Sequence, residues 1–356
     1  VWRFNNLKLD KNDIINRVSR IRDEIGHENI KPQIKNIMFN EYDEELLIIT
    51  SDRPEKSLII GKGGWVVGKL KEELNVKNIH VESYSDILLR KYRMNLAYTK
   101  MDEIIGYQKN VKLQEPLKNL SNFLKKRINY PYSLDVLLKN LLNTNLDESS
   151  KSGFIKPLAV VALSGGVDSS FSLIIAKIMG FKPLAVTVNP GDIILPKYFR
   201  DNVENLSKKL NVNHKYLEVD ISQVVEGALD GRYHPCGRCS KLIENTIIDY
   251  TKKSEISVMI FGDLLATGSQ AMNFKEDILR INLPALLSAT KGETKDLAGT
   301  FGISSTGGYG CPLLSEVHKK YGYMRRFSIQ RILRETRAGV LESGEALDMV
   351  VKLCSN

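Results

Sequence analysis

Four cysteines in 356 residues are too few to staple a fold of this size, which argues against a secreted disulfide scaffold and in favour of ligation or catalysis. No apolar run approaches the roughly 20 residues that cross a bilayer, and no charged-then-apolar signal segment opens the sequence as given. No membrane association and residence in the cytoplasm are therefore the expectations. Internal repeats and low-complexity tracts are absent as well. Acidic residues are outnumbered, 42 against 51 Lys and Arg, for a net charge of +9; this admits a polyanionic partner without requiring one. What is present, 42% hydrophobic and 26% charged, is the composition of a globular chain long enough for two or three domains.

Residues 10–25 place Ile14, Ile15, Val18, Ile21 and Ile25 on one helical face behind a candidate cap, Asp10. Two alternating runs follow, "QIKNIMF" and "ELLIITS", then "EKSLIIGKGGWVVGKLKEELNV" and a last strand-like run, "KNIHVES". The order reads helix, strand, strand, helix, Gly-rich turn, helix, strand. At its centre Gly61, Lys62, Gly63 and Gly64 form a Gly-x-x-Gly turn between two helices. Such a turn lets the backbone approach a sugar–phosphate chain, with Lys62 as a counter-charge. The glycines can also be simply a tight turn, and Trp65 after them either stacks on a base or packs. In this context the region resembles a KH domain carrying its extra helix and strand at the N-terminus. The resemblance covers about residues 10–84 and implies an RNA-binding domain over 1–85.

Residues 86–150 read as a helical connecting region punctuated by Pro116 and Pro131, ending in a polar linker at 144–153. From 151 to 315 short apolar strands alternate with helices: "PLAVVAL", "PLAVTVN", "HKYLEVD", "VMIFGD" and "RINLPAL". This rhythm predicts an α/β fold, a doubly wound parallel sheet covered on both faces, with ligands at the carboxyl ends of its strands.

After the first of those strands comes "ALSGGVDSSFS", residues 162–172. Two glycines leading into a helix, with hydroxyls at Ser164, Ser169 and Ser170, make an anion site from backbone N–H groups and a helix N-terminus. The Gly-Lys-Ser/Thr ending of a Walker A loop is missing, so the loop has no lysine of its own. Ser-Gly-Gly-x-Asp-Ser resembles the motif of the PP-loop ATP pyrophosphatases, the adenine nucleotide α-hydrolase-like group, in which pyrophosphate leaves an attacked α-phosphate. The resemblance implies ATP and Mg²⁺ as cofactors. It implies nucleotide contacts at Ala162, Ser164, Gly165, Gly166, Val167, Asp168, Ser169 and Ser170, at Thr187, and at Gly262 and Asp263 after the fourth strand. Asp168 is the first choice for orienting magnesium or phosphate. "TKGETKDL", with Lys291 and Glu293, looks like the superfamily's helix after its fifth strand.

The stretch "RYHPCGRCSK" holds Cys236 and Cys239, a Cys-x-x-Cys whose spacing serves zinc ribbons, redox dithiols, iron–sulfur ligation and sulfur carriers alike. Beside a PP-loop it resembles the Cys-x-x-Cys of RNA-thiolating members, which carry a third cysteine before a proline, here Cys311-Pro312. That resemblance implies metal ligation by Cys236, Cys239 and Cys311 in a 4Fe–4S cluster, with Asp168, Cys239 and Cys311 catalytic. A persulfide on one cysteine resolved by another, or structural Zn²⁺ with His234 or His318 as filler, are the alternatives. Cys354, near the end of the sequence, is not expected to ligate.

Residues 316–356 form a basic helical segment, in which Arg325 and Arg326 lead a run of seven Lys or Arg between 318 and 337, interleaved with Tyr321, Tyr323 and Phe327. Basic and aromatic residues together suit RNA, although a basic helix covering the core has the same pattern. The resemblances together imply an ATP-dependent RNA sulfurtransferase that thiolates tRNA. It would adenylate a pyrimidine carbonyl and replace the oxygen with sulfur from sulfide or a sulfur carrier, with a homodimer left open. A PP-loop amidotransferase with structural zinc, or an RNA-binding protein with a non-catalytic nucleotide site, are the other readings.

Overall fold

The computed structural model describes residues 10–41, 44–108, 110–145, 156–304 and 310–355; most of the expected linker at 144–153 lies outside them. The chain divides into two compact units, residues 1–91 with 343–345 and residues 92–342 with 346–356.

In the first unit α1 (Lys11–Glu24) precedes β1 (Ile34–Asn40) and β2 (Glu45–Thr50), then α2 (Arg53–Ile60), α3 (Trp65–Leu74) and β3 (Asn78–Ser83). β2 is the central strand, antiparallel to β1 and parallel to β3, with Leu46 opposite Ile79 and Ile48 opposite Val81. Parallel neighbours need a long crossover, and α2 with α3 supplies it. The apolar faces converge on one core: Ile14, Val18 and Ile21 from α1, Ile59 from α2, Val66 and Leu70 from α3, against Leu46 and Ile48. Asp52 caps α2 by accepting from Glu55 N at 3.3 Å. α2 ends at Gly61, where φ is +72° and an added Cβ would stand 2.4 Å from Val66 Cγ2, so a side chain has neither the backbone conformation nor the space. Beyond it Lys62 is exposed and Trp65 is 62% exposed.

The second unit starts within α4 (Tyr84–Tyr107) and continues through α5 (Val111–Asn129) and α6 (Leu134–Asn145). These helices do more than connect. Met94, Ala97 and Met101, Leu117, Leu120 and Leu124, and Leu138 join the largest hydrophobic core of the unit.

The alternating region follows as β4 (Leu158–Ala162), α7 (Val167–Ile178), β5 (Lys182–Asn189), α8 (Lys197–Lys209), β6 (His214–Glu218), α9 (Ser222–Leu229), α10 (Pro235–Lys253), β7 (Val258–Phe261), β8 (Met272–Lys275) and β9 (Ile278–Asn282). Their six-stranded sheet has the order β6-β5-β4-β7-β9-β8, parallel except for β8 at one edge. Successive residues feed opposite cores: Ala159 and Val161 of β4 and Val258 and Ile260 of β7 on one face, Val160, Met259 and Phe261 on the other. This two-sided burial explains the unbroken apolar runs. "RINLPAL" is strand only to Asn282; Pro284 sits in the first turn of α11 (Leu283–Leu286). Then come α12 (Lys291–Thr300), α13 (Pro312–Lys320), α14 (Arg325–Arg337) and α15 (Ser343–Ser355). No helix among the described residues is long and apolar enough to cross a membrane.

In the first unit, a half-buried ion pair closes the end of β3. Arg53 Nη2 meets Asp86 Oδ1 at 2.6 Å and Arg53 Nε donates to the same oxygen at 2.8 Å, while Ser83 Oγ donates to Oδ2 at 2.7 Å. Burial pushes the Asp86 carboxyl up, but the hydrogen bonds from Arg53 and Ser83 outweigh it and hold it below its ordinary value. A carboxyl lowered on folding contributes stability above its unfolded pKa, and that stability is lost as pH falls through the folded value. Arg53→Met should therefore destabilise the protein by about 1–3 kcal/mol at pH 7, less than a fully buried pair because Arg53 is partly exposed. The deficit should shrink on titration below the carboxylate range. Urea denaturation of both proteins from pH 7 to pH 3 checks this; an equal loss at every pH would mean packing rather than charge.

Candidate functional site

Strand order reverses between β4 and β7, because the chain moves outward through β5 and β6 and then returns to the other side of β4. Such a switch leaves a crevice at the carboxyl ends of the two central strands. The loop Ser164–Gly166 occupies it and runs into α7, whose first-turn amides have no helical acceptor. The loop is tied within itself: Ser164 N donates to Ser169 Oγ at 3.1 Å, and Ser169 Oγ donates to Gly166 O at 3.0 Å. Gly165 has φ +76°, and an added Cβ would fall 2.2 Å from Phe199 O; Asn202 Nδ2 donates to Gly165 O at 3.0 Å. Gly262, after β7, lies equally close to the start of α7: its Cβ would be 2.8 Å from Asp168 C and Ser169 N. The crevice therefore depends on two positions without side chains.

Asp168 in the first turn of α7 receives Lys291 Nζ at 2.6 Å on Oδ2 and Thr294 Oγ1 at 2.8 Å on Oδ1. The lysine that the loop lacks thus arrives from the first turn of α12. Sequence reasoning marked Lys291 and did not mark Thr294; their spacing of three on one helix was the available signal. That turn is itself fixed. Thr290 and Glu293 form a reciprocal capping box, and Glu293 Oε1 accepts from Leu134 N at 3.1 Å and from the fully buried Arg127.

The other expected contacts divide. Ala162 ends β4 beneath the loop, and Val167 opens α7, buried. Ser170 and Thr187 are buried inward, at 0% and 1% exposure. Thr187 Oγ1 donates to Leu163 O at 2.6 Å, tying β5 to β4 below the crevice. Asp263 is half exposed and engaged by Arg280 Nη2 at 2.9 Å.

The cysteines fall on the same edge of the sheet. Helices that cover a parallel sheet run against its strands, so α10, packed through Ile247 and Ile248, presents its N-terminus with Cys236 and Cys239 at the carboxyl edge. Cys311 is the N-cap of α13, and Leu313 N donates to Ile193 O at 3.0 Å in the loop after β5. All three thiols are partly buried, while Cys354 is exposed on α15. Burial pushes Cys239 up to about 11, with Cys311 and Cys236 adding to it. Burial likewise raises Cys236, Cys311 adding and Arg331 opposing. Among the described residues no group of three or more His, Cys, Asp or Glu is gathered to hold a metal ion, so ligation by all three thiols would draw them in from the positions described. Behind them Ser328 Oγ lies 3.2 Å from His318 Nε2 and 3.5 Å from His234 Nε2. Burial lowers His318 to about 4, with His234 and Arg325 contributing; these neutral imidazoles pack against α14. A cleft of about 480 Å³ opens at the carboxyl ends of β5 and β6, and Glu218, Asp220 and Glu226 in its lining make it unsuited to a polyanion.

No family model matches the chain. The uncharacterized protein MJ1638 of Methanocaldococcus jannaschii is 40% identical to it over 270 residues, which cover 71% of this chain and 97% of that protein. The chain belongs to the MJ1638 family. Among solved structures, NMN synthetase from Francisella tularensis is similar at a TM-score of 0.36 and 15% identity, covering 61% of this chain and 91% of its own. The U34-tRNA thiolase NcsA from Methanococcus maripaludis, with its 4Fe-4S cluster, has a TM-score of 0.33 and 14% identity, covering 65% and 77%. Likeness of that size leaves the chemistry of this MJ1638-family member to be argued from its own residues.

The buried Arg127–Glu293 pair gives the site a stability signature. Glu293→Gln keeps the side-chain shape but removes the carboxylate facing a fully buried guanidinium, and should cost about 3 kcal/mol. Chemical denaturation measures it; a loss under about 1 kcal/mol would show that the capping hydrogen bonds alone fix the start of α12.

Proposed function

We propose that this chain is an ATP-dependent RNA sulfurtransferase with tRNA as its substrate. One observation carries the reading: a Ser-Gly-Gly-x-Asp-Ser loop at the switch point and three cysteines at the same sheet edge, with the segment 190–199 lying against Gly165 and bonded to Leu313 in the helix that Cys311 caps. A nucleotide loop alone would fit any adenylating enzyme, and a thiol set alone any metal protein. Their juxtaposition fits a reaction in which one carbon is first activated and then given sulfur.

The chain's own groups suit the first step. The first-turn amides of α7, at the end of the Ser164–Gly166 loop, would receive phosphate oxygens. Lys291 is placed to neutralise charge on the pyrophosphate as it separates, exchanging its contact with Asp168 for one with the nucleotide. Asp168 would then hold Mg²⁺, with Thr294 keeping the carboxylate oriented. A pyrimidine carbonyl oxygen attacks the α-phosphorus and the bond to pyrophosphate breaks. Hydrosulfide adds to the same carbon, and AMP leaves with the oxygen. For the second step the donor set is three soft thiols, which fit an iron–sulfur cluster held by Cys236, Cys239 and Cys311. When bound, that cluster supplies Lewis-acidic iron to hold sulfide. RNA would be held by the first unit, read as KH-like, through the Gly61–Gly64 turn and exposed Lys62.

Anaerobically purified protein, incubated with ATP, sulfide and tRNA from a deletion strain, should release pyrophosphate and form a thiolated pyrimidine detectable by nucleoside mass spectrometry. Asp168→Ala should reduce pyrophosphate release at least a hundredfold and leave RNA binding intact. Appearance of ADP and orthophosphate instead would sink the assignment. Cys236→Ser, Cys239→Ser and Cys311→Ser should each lose bound iron and thiolation while retaining RNA-dependent pyrophosphate release, and Cys354→Ser should lose none of these. Thiolation that persists in the three variants would return the cysteines to a structural zinc role.

A further inference from the structure

The basic C-terminal run is not an evenly solvated face. In α14 the residues Ser328 and Ile332 are buried, and Arg325, one of two arginines expected to meet RNA, is turned partly inward with its Nε buried. Arg326, Arg331, Arg334 and Arg337 are exposed. At 3.6 residues per turn Arg326, Arg334 and Arg337 fall within an arc of about 80° and span about 16 Å of helix. The only acid of the helix, Glu335, has a largely buried side chain paired with Arg331 at 3.0 Å.

Aromatic rings that could have been buried lie in the same stripe. Phe327 is 38% exposed with the Arg326 guanidinium 4.8 Å from its ring centre, and Tyr323 is 55% exposed just before the helix. Exposed rings beside guanidinium groups are the elements on which unpaired bases stack. The edge of the stripe also borders the N-terminus of α10, which carries the cysteines. The His234 ring lies 5.4 Å from Phe327, Tyr323 OH donates to Gly231 O at 3.0 Å, and the Ser328 hydroxyl sits between His234 and His318. In the first turn of α10, between the two cysteines, Arg238 is exposed over Tyr233, 4.1 Å from its ring.

We infer that the outer face of α14, with Tyr323, Phe327 and Arg238, is the docking surface for a single-stranded segment of the RNA, led along the helix toward Cys236 and Cys239. This rests on the reading of the chain as an RNA-acting enzyme and adds where the reacting strand lies. Charge complementarity and the ring-and-guanidinium pairing select an unstacked polyanion over an acidic protein, which has no bases to stack.

The test uses the full chain and a fluorescein-labelled, U-rich 12-mer RNA, followed by anisotropy over a salt series. The double substitution Arg326→Glu with Arg334→Glu should weaken binding at least tenfold at 100 mM salt. It should also flatten the slope of log K against log salt by about 1.4, as expected for two lost phosphate contacts on a single strand. Arg326→Lys with Arg334→Lys should keep the slope, and an unchanged melting curve checks the fold. Wild-type affinity and slope in the Glu variant would overturn the surface. If Lys62→Asp with Gly63→Asp then weakens binding, RNA recognition stands but lies at the Gly-rich turn. A wild-type chain that binds neither the 12-mer nor tRNA overturns both the surface and the RNA-acting reading. Binding to anionic vesicles without binding to the 12-mer would assign the stripe to a membrane surface instead.

Discussion

A strand can be followed by a parallel neighbour only after the chain has crossed back over the sheet, and here that crossing is made by helices packed on both faces. Each of those helices starts at the carboxyl edge. The rest of the second unit depends on this constraint. It brings the Ser164–Gly166 loop, the Cys236–Cys239 turn and the loop after β5 to one rim, although they are far apart in sequence. No direct bond between the Ser164–Gly166 loop and the Cys236–Cys239 turn is needed for this; burial of Val160, Val161, Met259 and Ile260 between two layers of helices is sufficient.

Charge then sets what the rim can do. Glu293 joins the buried Arg127 to the start of α12, and α12 in turn presents Lys291 and Thr294 to Asp168. A mobile lysine would lose rotamer entropy on each binding event, whereas one standing on a capped, ion-paired turn has less to lose. The thiols are in the opposite situation. They are partly buried, and burial raises the first two, so a cation that binds them must displace their protons.

The sequence was legible where burial imposes a period. The helix–strand order of the first unit and the five parallel strands could be read from apolar runs, and Ser-Gly-Gly-Val-Asp-Ser stood out because its glycines and hydroxyls have a chemical purpose. Four features were not legible. β8 is four residues without alternation, and its place at the edge is set by pairing with β9 alone. α4 to α6 read as a connection because helical periodicity tells which face is apolar but not which core will receive it. Thr187 is expected to contact the nucleotide, and its hydroxyl, which no local rule pairs, donates to Leu163 O and lies 2.8 Å from His214 Nε2. Lys291 and Asp168 are separated by more than a hundred residues, and no local rule pairs them.

The loop after β5 is a ruler. Ile193 is bonded to the helix that Cys311 caps, and Phe199 lies against Gly165 in the Ser164–Gly166 loop. Six residue steps of chain join them, at most about 21 Å when drawn straight. The last of those steps already belong to α8, where each residue advances about 1.5 Å. The distance between the Gly165 backbone and the start of α13 is therefore bounded by backbone length, whatever the side chains do. A longer loop would loosen that spacing without altering a single contact residue.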